Sequence, residues 1–82
     1  MKLYLLYTYT TSIDMPTEFI GVFKTTNGIL RYVTEVTPVI KNRTFTVTID
    51  DTNVIVTYYR KTKEVCSRYK YTFKVIDTDY LY

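Results

Sequence analysis

The sequence predicts an α+β domain, a small antiparallel sheet of about five strands in the order β-β-α-β-β-β with one helix packed on one face. Three observations lead there. From Arg43 to Ile76 apolar and polar residues alternate through successive runs, the period at which a strand turns its side chains to one face. Between Thr25 and Ile40 the apolar spacing changes to that of a helix. The composition favours strands elsewhere, with 10 Tyr and 17% aromatic residues against only 2 Gly and 2 Pro, because aromatic and β-branched side chains suit a pleated surface.

Residues 1–24 read as a pair of strands. Met1 to Tyr9 is a nearly continuous run of Leu and Tyr, with strand-forming residues on both alternating sets, as expected for a strand in the sheet interior that is covered on both faces. Thr10 to Thr17 breaks the pattern with Asp14 and Pro16 and reads as a loop of moderate length and a candidate binding edge. Glu18 to Lys24 resumes a short strand, in which Gly21 suggests a bulge or a close backbone contact.

Thr25-Thr26-Asn27-Gly28 is the clearest helix start, since Thr or Asn caps the orphan amides ahead of an apolar-periodic segment. The predicted helix occupies residues 25–40, with a strand as the competing reading of the segment. Ile29, Tyr32, Val33, Val36 and Ile40 share its apolar side, Arg31, Thr34 and Glu35 lie opposite, and Pro38 either ends the regular part or starts a new turn with Thr37 as its cap. Val and Thr lose rotamer freedom in a helix, so packing against the sheet must hold it.

Residues 43–76 form a three-stranded meander whose registers agree with each other. A two-residue turn at Asp51 and Thr52 sets Ile49 against Val54, Val47 against Val56 and Phe45 against Tyr58. A second turn around Lys61 to Glu64 pairs Arg60 with Val65 and sets Tyr58 against Ser67, Val56 against Tyr69 and Val54 against Tyr71. A slip of one residue in either hairpin would move a whole apolar set to the wrong side. The core face then carries Phe45, Val47, Ile49, Val54, Val56, Tyr58, Tyr69, Tyr71, Phe73 and Val75. The other face carries Tyr59, Cys66, Arg68, Lys70 and Lys74 among threonines, with Ile55. Residues 77–82 form a tail whose Tyr80-Leu81-Tyr82 end is apolar enough to dock on its own domain or on a partner.

An 82-residue chain with 46% hydrophobic and 23% charged residues makes one folded domain, residues 1–82. A net charge of +3 permits an anionic partner without demanding one. The single Cys66 has no intrachain disulfide partner, and the apolar run at the N-terminus is too short for a membrane span. The expected setting is therefore cytoplasmic, with no membrane association.

The absence of histidine removes the commonest general base and zinc nitrogen ligand, and one cysteine makes no thiolate zinc site. Ser12 and Ser67 lack a nucleophile elbow, and no glycine-rich phosphate loop occurs. Asp50-Asp51 reads as a turn, and Asp77 with Asp79 lies near the chain end. No enzyme activity, metal or cofactor is expected. What remains is the polar face, where Tyr59 accompanies Arg68, Lys70 and Lys74, with Arg60, Lys61 and Lys63 at the adjoining turn and Tyr80 and Tyr82 in the tail. Aromatics interleaved with cations on a β-surface are how sheet-based modules hold single-stranded nucleic acid or nucleotides.

Met1-Lys2-Leu3-Tyr4-Leu5-Leu6-Tyr7, followed by a loop and Phe19-Ile20-Gly21-Val22-Phe23 ahead of a helix start, resembles the opening of an uncharacterised family of short bacterial and phage proteins. The resemblance covers less than a third of the chain. It implies a ββα start and a phage or bacterial origin, and it carries no chemistry; the Thr-, Val- and Tyr-rich helix departs from that family's Ala-, Glu- and Lys-rich one. With it, the expectation is a non-enzymatic binding protein of the phage-inhibitor type, anti-defence or anti-CRISPR-like, that engages a host protein or protein complex. The alternative is recognition of nucleic acid or a nucleotide signal by the basic face. A symmetric homodimer, formed edge to edge or through the tail, is also expected, because the domain is small and its edge strands carry few guarding residues.

Overall fold

The structure, a computed structural model, describes residues 1–78. Its elements are β1 (Lys2–Thr10), β2 (Met15–Phe23), α1 (Thr26–Val36), β3 (Arg43–Asp50), β4 (Asn53–Arg60) and β5 (Val65–Asp77). The strands form one antiparallel sheet in the order β2-β1-β5-β4-β3 with α1 packed against it. The expected class and element order hold.

The 13-residue β5 organises the sheet. Its C-terminal half pairs with β1, from Thr8 opposite Tyr71 to Lys2 opposite Asp77, and its N-terminal half pairs with β4, from Tyr59 opposite Val65 to Asn53 opposite Thr72. The two hairpins therefore overlap along β5 only near Tyr71 and Thr72. This stagger draws the molecule out to 53 × 27 × 18 Å. At the junction the β3–β4 turn leans on β5, with the Phe73 amide donating to the Thr52 carbonyl at 2.8 Å.

The first hairpin of the meander has the predicted register, Asp50 opposite Asn53 and Val47 opposite Val56, with Asp51 at φ 56° making the corner. The second departs by one residue. Tyr58 faces Ser67 as expected, but Tyr59 faces Val65, so the pairing of Arg60 with Val65 gives way to a bulge that leaves Cys66 as the extra residue. The cause is the turn, in which Lys63 takes φ 66° and the Arg60 amide donates to the Glu64 carbonyl at 2.8 Å, advancing the closure by one position.

At the other end of the chain the predicted loop from Thr10 to Thr17 is too long and the strand from Glu18 too short. β2 begins at Met15, and Pro16 lies opposite Tyr9. An edge strand tolerates proline because its missing donor has no ladder partner to disappoint, a position that single-chain patterning does not disclose. β2 bulges twice against β1, once beside Gly21, where a bulge was expected.

Helix α1 is shorter than the predicted residues 25–40. The Thr25 side chain caps it, accepting from the Gly28 amide at 3.0 Å, and at its C-terminal end both the amide and the hydroxyl of Thr37 donate to the Val33 carbonyl, at 3.0 and 2.6 Å. Pro38 then prevents continuation. The buried side runs through Ile29, Val33 and Thr37, while Tyr32 is half-buried. Val36 and Ile40 do not join it and are 46% and 41% exposed. Replacing Thr25 by Ala is expected to cost about 1 kcal/mol by leaving an amide uncapped, read as a lower urea midpoint at unchanged slope.

The core gathers Leu6, Ile29, Val33, Val54, Val56, Tyr58 and Phe73. Phe45, Val47, Ile49 and Tyr71 lie half-buried around it. Tyr69 and Val75 share the face expected for them but are exposed, because an 11-residue helix covers only part of a 13-residue strand.

Candidate binding faces

Residues directly opposite on antiparallel strands share a face, so the registers define rows of side chains across the sheet. On the face away from α1, one row runs Asp50, Asn53, Thr72, Tyr7 and Phe19. On one side of it lie Lys74, Leu5 and Val22, and on the other Thr48, Ile55 and Lys70. Beyond these come Thr46, Thr57 and Arg68. Among the described residues no element covers this face.

Insertion of β1 beside β5 gives the face its character. Lys70 Nζ lies 4.1 Å from the centroid of the Tyr9 ring, and Lys74 Nζ 5.6 Å from that of Tyr7. The Tyr7 and Phe19 rings stand 5.5 Å apart, and Phe19 is 52% exposed. An ammonium over a ring is held by the ring's quadrupole, at about 0.5–1 kcal/mol when exposed. The result is a stripe in which cation and aromatic alternate. The Tyr9 phenol also donates to Asp14 Oδ1, and this bond, with some desolvation and the carboxylate's charge, raises its pKa above the ordinary phenol value.

The predicted site residues divide between two places. Arg68, Lys70 and Lys74 share the open face as expected. Tyr59 is on that face but at its far end, opposite Thr44 and Val65, about 30 Å from Lys74 along β5 at about 3.3 Å per residue. Tyr59 and Lys74 thus do not form one site. Arg60 and Lys61 meet Lys41, Asn42 and Arg43 around an open concavity of about 530 Å³, with Arg60 4.0 Å from Glu64. Lys63 forms the left-handed corner of the same turn. Tyr80 and Tyr82 lie outside the described residues, as does Asp79.

Cys66 is not on the basic face beside Arg68. The bulge turns it towards the helix side, where it packs against the core and accepts a hydrogen bond from Arg43 Nη1. Tyr7, Tyr9 and Phe19 were not singled out from the sequence, since their exposure depends on which neighbours β1 acquires. The odd-numbered aromatic set of β1 was the available signal.

Past the end of α1 lies a groove of about 460 Å³ lined by Pro38 and Ile40 and by Val56, Tyr58, Tyr69 and Tyr71, with Tyr9, Arg68 and Lys70 of the open face also among its lining residues. Tyr58 spans it, donating from its hydroxyl to the Pro38 carbonyl at 2.6 Å, and Tyr69 is 56% exposed.

Among the described residues no three His, Cys, Asp or Glu side chains converge as metal ligands, and no helix is long and apolar enough to cross a membrane. No family model matches the chain, and neither a curated protein nor a solved structure is similar to it.

Proposed function

We propose that this is a non-enzymatic binding protein, of the phage-inhibitor kind, that engages a host macromolecule through the open face of its sheet. One observation carries the reading: Tyr7, Tyr9 and Phe19 stand with Lys70 and Lys74 on the one sheet face that the helix leaves uncovered. Large planar side chains beside cations are the composition of interface hot spots, and a sheet supplies them on a rigid base. The test compares capture of host proteins by the wild-type chain and by a Tyr7→Ala, Tyr9→Ala variant. A specific protein that the wild type retains and the variant loses by tenfold or more supports the reading, since hot-spot truncation costs at least about 2 kcal/mol. Equal retention by both removes the open face from the contact.

A second reading, recognition of single-stranded nucleic acid or a nucleotide by the same face, is favoured by the alternation itself. Stackable rings alternate with cations within reach of a phosphate backbone, the arrangement that serves sequence-tolerant strand binding. Replacing Arg68, Lys70 and Lys74 together by Ala is expected to lower the salt slope of log K by about 2 if each contacts one phosphate of a single strand. Replacing Tyr7 and Tyr9 weakens binding with little change in slope. Absence of oligonucleotide and nucleotide binding at low salt excludes this reading and leaves the first.

A further inference from the structure

We propose that β3 is a docking edge for a second copy of this chain, and that two copies pair through it antiparallel about a two-fold axis at Val47. The two edges of the sheet are not equivalent. The β2 edge carries Pro16, with no amide to donate, and two bulges that interrupt its register. These are the devices by which proteins blunt an edge. The β3 edge has none of them: Arg43 to Asp50 pairs with β4 without a register shift and contains neither Pro nor Gly. At its start the Arg43 amide is already taken by the Ile40 carbonyl at 3.1 Å, but from Thr44 to Asp50 the outer side presents a row of backbone donors and acceptors of the kind that templates another strand.

The sequence of β3 complements itself in one register. A two-fold axis perpendicular to the sheet keeps equivalent faces on the same side, so opposed residues must have the same parity. Centring the axis at Val47 sets Val47 against its own copy, Phe45 against Ile49, and Thr46 against Thr48. At both ends Arg43 then reaches the Asp50-Asp51 turn of the other copy. Moving the axis to Thr46 places Arg43 against Ile49, and moving it to Thr48 places Phe45 at the acidic turn, so each slip mixes apolar with charged residues. Phe45, Val47 and Ile49 are only half-buried in the single copy, and pairing covers them. Aromatic, β-branched and opposite-charge cross-strand pairs each contribute roughly 0.2–1 kcal/mol.

The symmetry has a structural consequence: both helices lie on one side and both open faces on the other, joined across ten strands, twice the five of one copy. The dimer stands on the edge alone and does not depend on which ligand the open face takes.

Light scattering in the micromolar range should give about twice the chain mass of 9.8 kDa. In a Cys66→Ser background, Val47→Cys should form a disulfide-linked dimer under mild oxidation, and more readily than Thr46→Cys or Thr48→Cys, because only residue 47 meets its own copy. Thr46→Lys with Thr48→Lys, at two exposed positions, sets lysine against lysine across the axis and should weaken the dimer by tenfold or more while the circular dichroism spectrum is unchanged. A mass of 9.8 kDa for the wild type throughout that range overturns the proposal. So does a dimer that tolerates the double lysine variant and whose Val47→Cys form stays uncrosslinked.

Discussion

Leu6→Ala is expected to destabilise the domain by about 2–5 kcal/mol, a large share of the roughly 5–15 kcal/mol available to a folded domain. Leu6 is fully buried on β1, with Phe73 opposite it on β5 and Gly21 opposite it on β2. A glycine neighbour supplies no side chain to collapse into the space, and Ile29 and Val33 above are held by the capped helix. The cavity should therefore persist, placing the cost towards the upper part of the range. Leu6→Met keeps the volume and should cost less than about 1.5 kcal/mol. Urea denaturation of both variants checks this. A loss below about 1 kcal/mol for the alanine variant would mean that the core does not close around Leu6.

Tyr58 offers the second large effect, and one that separates packing from hydrogen bonding. It is 2% exposed, its ring lies against Phe45 and Tyr69 with centroids 5.7 and 5.9 Å away, and its hydroxyl holds the Pro38 carbonyl just after the helix. Tyr58→Ala should cost about 3–5 kcal/mol through the lost ring. Tyr58→Phe should cost about 1 kcal/mol through the lost bond. The same residue gives the domain an alkaline limit. Burial, and secondarily the neighbouring Tyr69, raises the Tyr58 pKa; burial, then Tyr32 and Tyr58, raises that of Tyr71. A raised pKa means that the folded state keeps the proton that the unfolded state gives up near pH 10. The stabilisation is complete below about pH 10 and is lost as pH rises through the folded-state values. Urea midpoints should accordingly fall above about pH 10, and less steeply in Tyr58→Phe; an identical slope in the two would show that Tyr58 does not ionise on unfolding.

The meander was legible in the sequence because its strands follow one another through short turns. Parity alone then fixes the pairing of Val47 with Val56 and of Val56 with Tyr69. The helix start was legible too, since a cap is a local bond between Thr25 and Gly28. The last steps of each element were less so. Cys66 changed sides because one left-handed residue, Lys63, shortened the turn closure, and nothing in the alternation of Val65 to Tyr69 records that. Val36 continued the helical spacing but was left exposed, because burial follows the side of the helix that meets the sheet.

The sequence by itself determined the α+β class, the order of elements, the core-facing set of the meander apart from Cys66, and the basic residues of β5, all of which follow from periods of two and 3.6 residues and from local turn and capping chemistry. Only the tertiary structure decided that β1 pairs with β5, a contact between opposite ends of the chain that no local pattern encodes. That one pairing brings Tyr7 and Tyr9 beside Lys74 and Lys70, turns a basic strand into an aromatic and cationic stripe, and sends β2 and β3 to the two edges, one interrupted and one open.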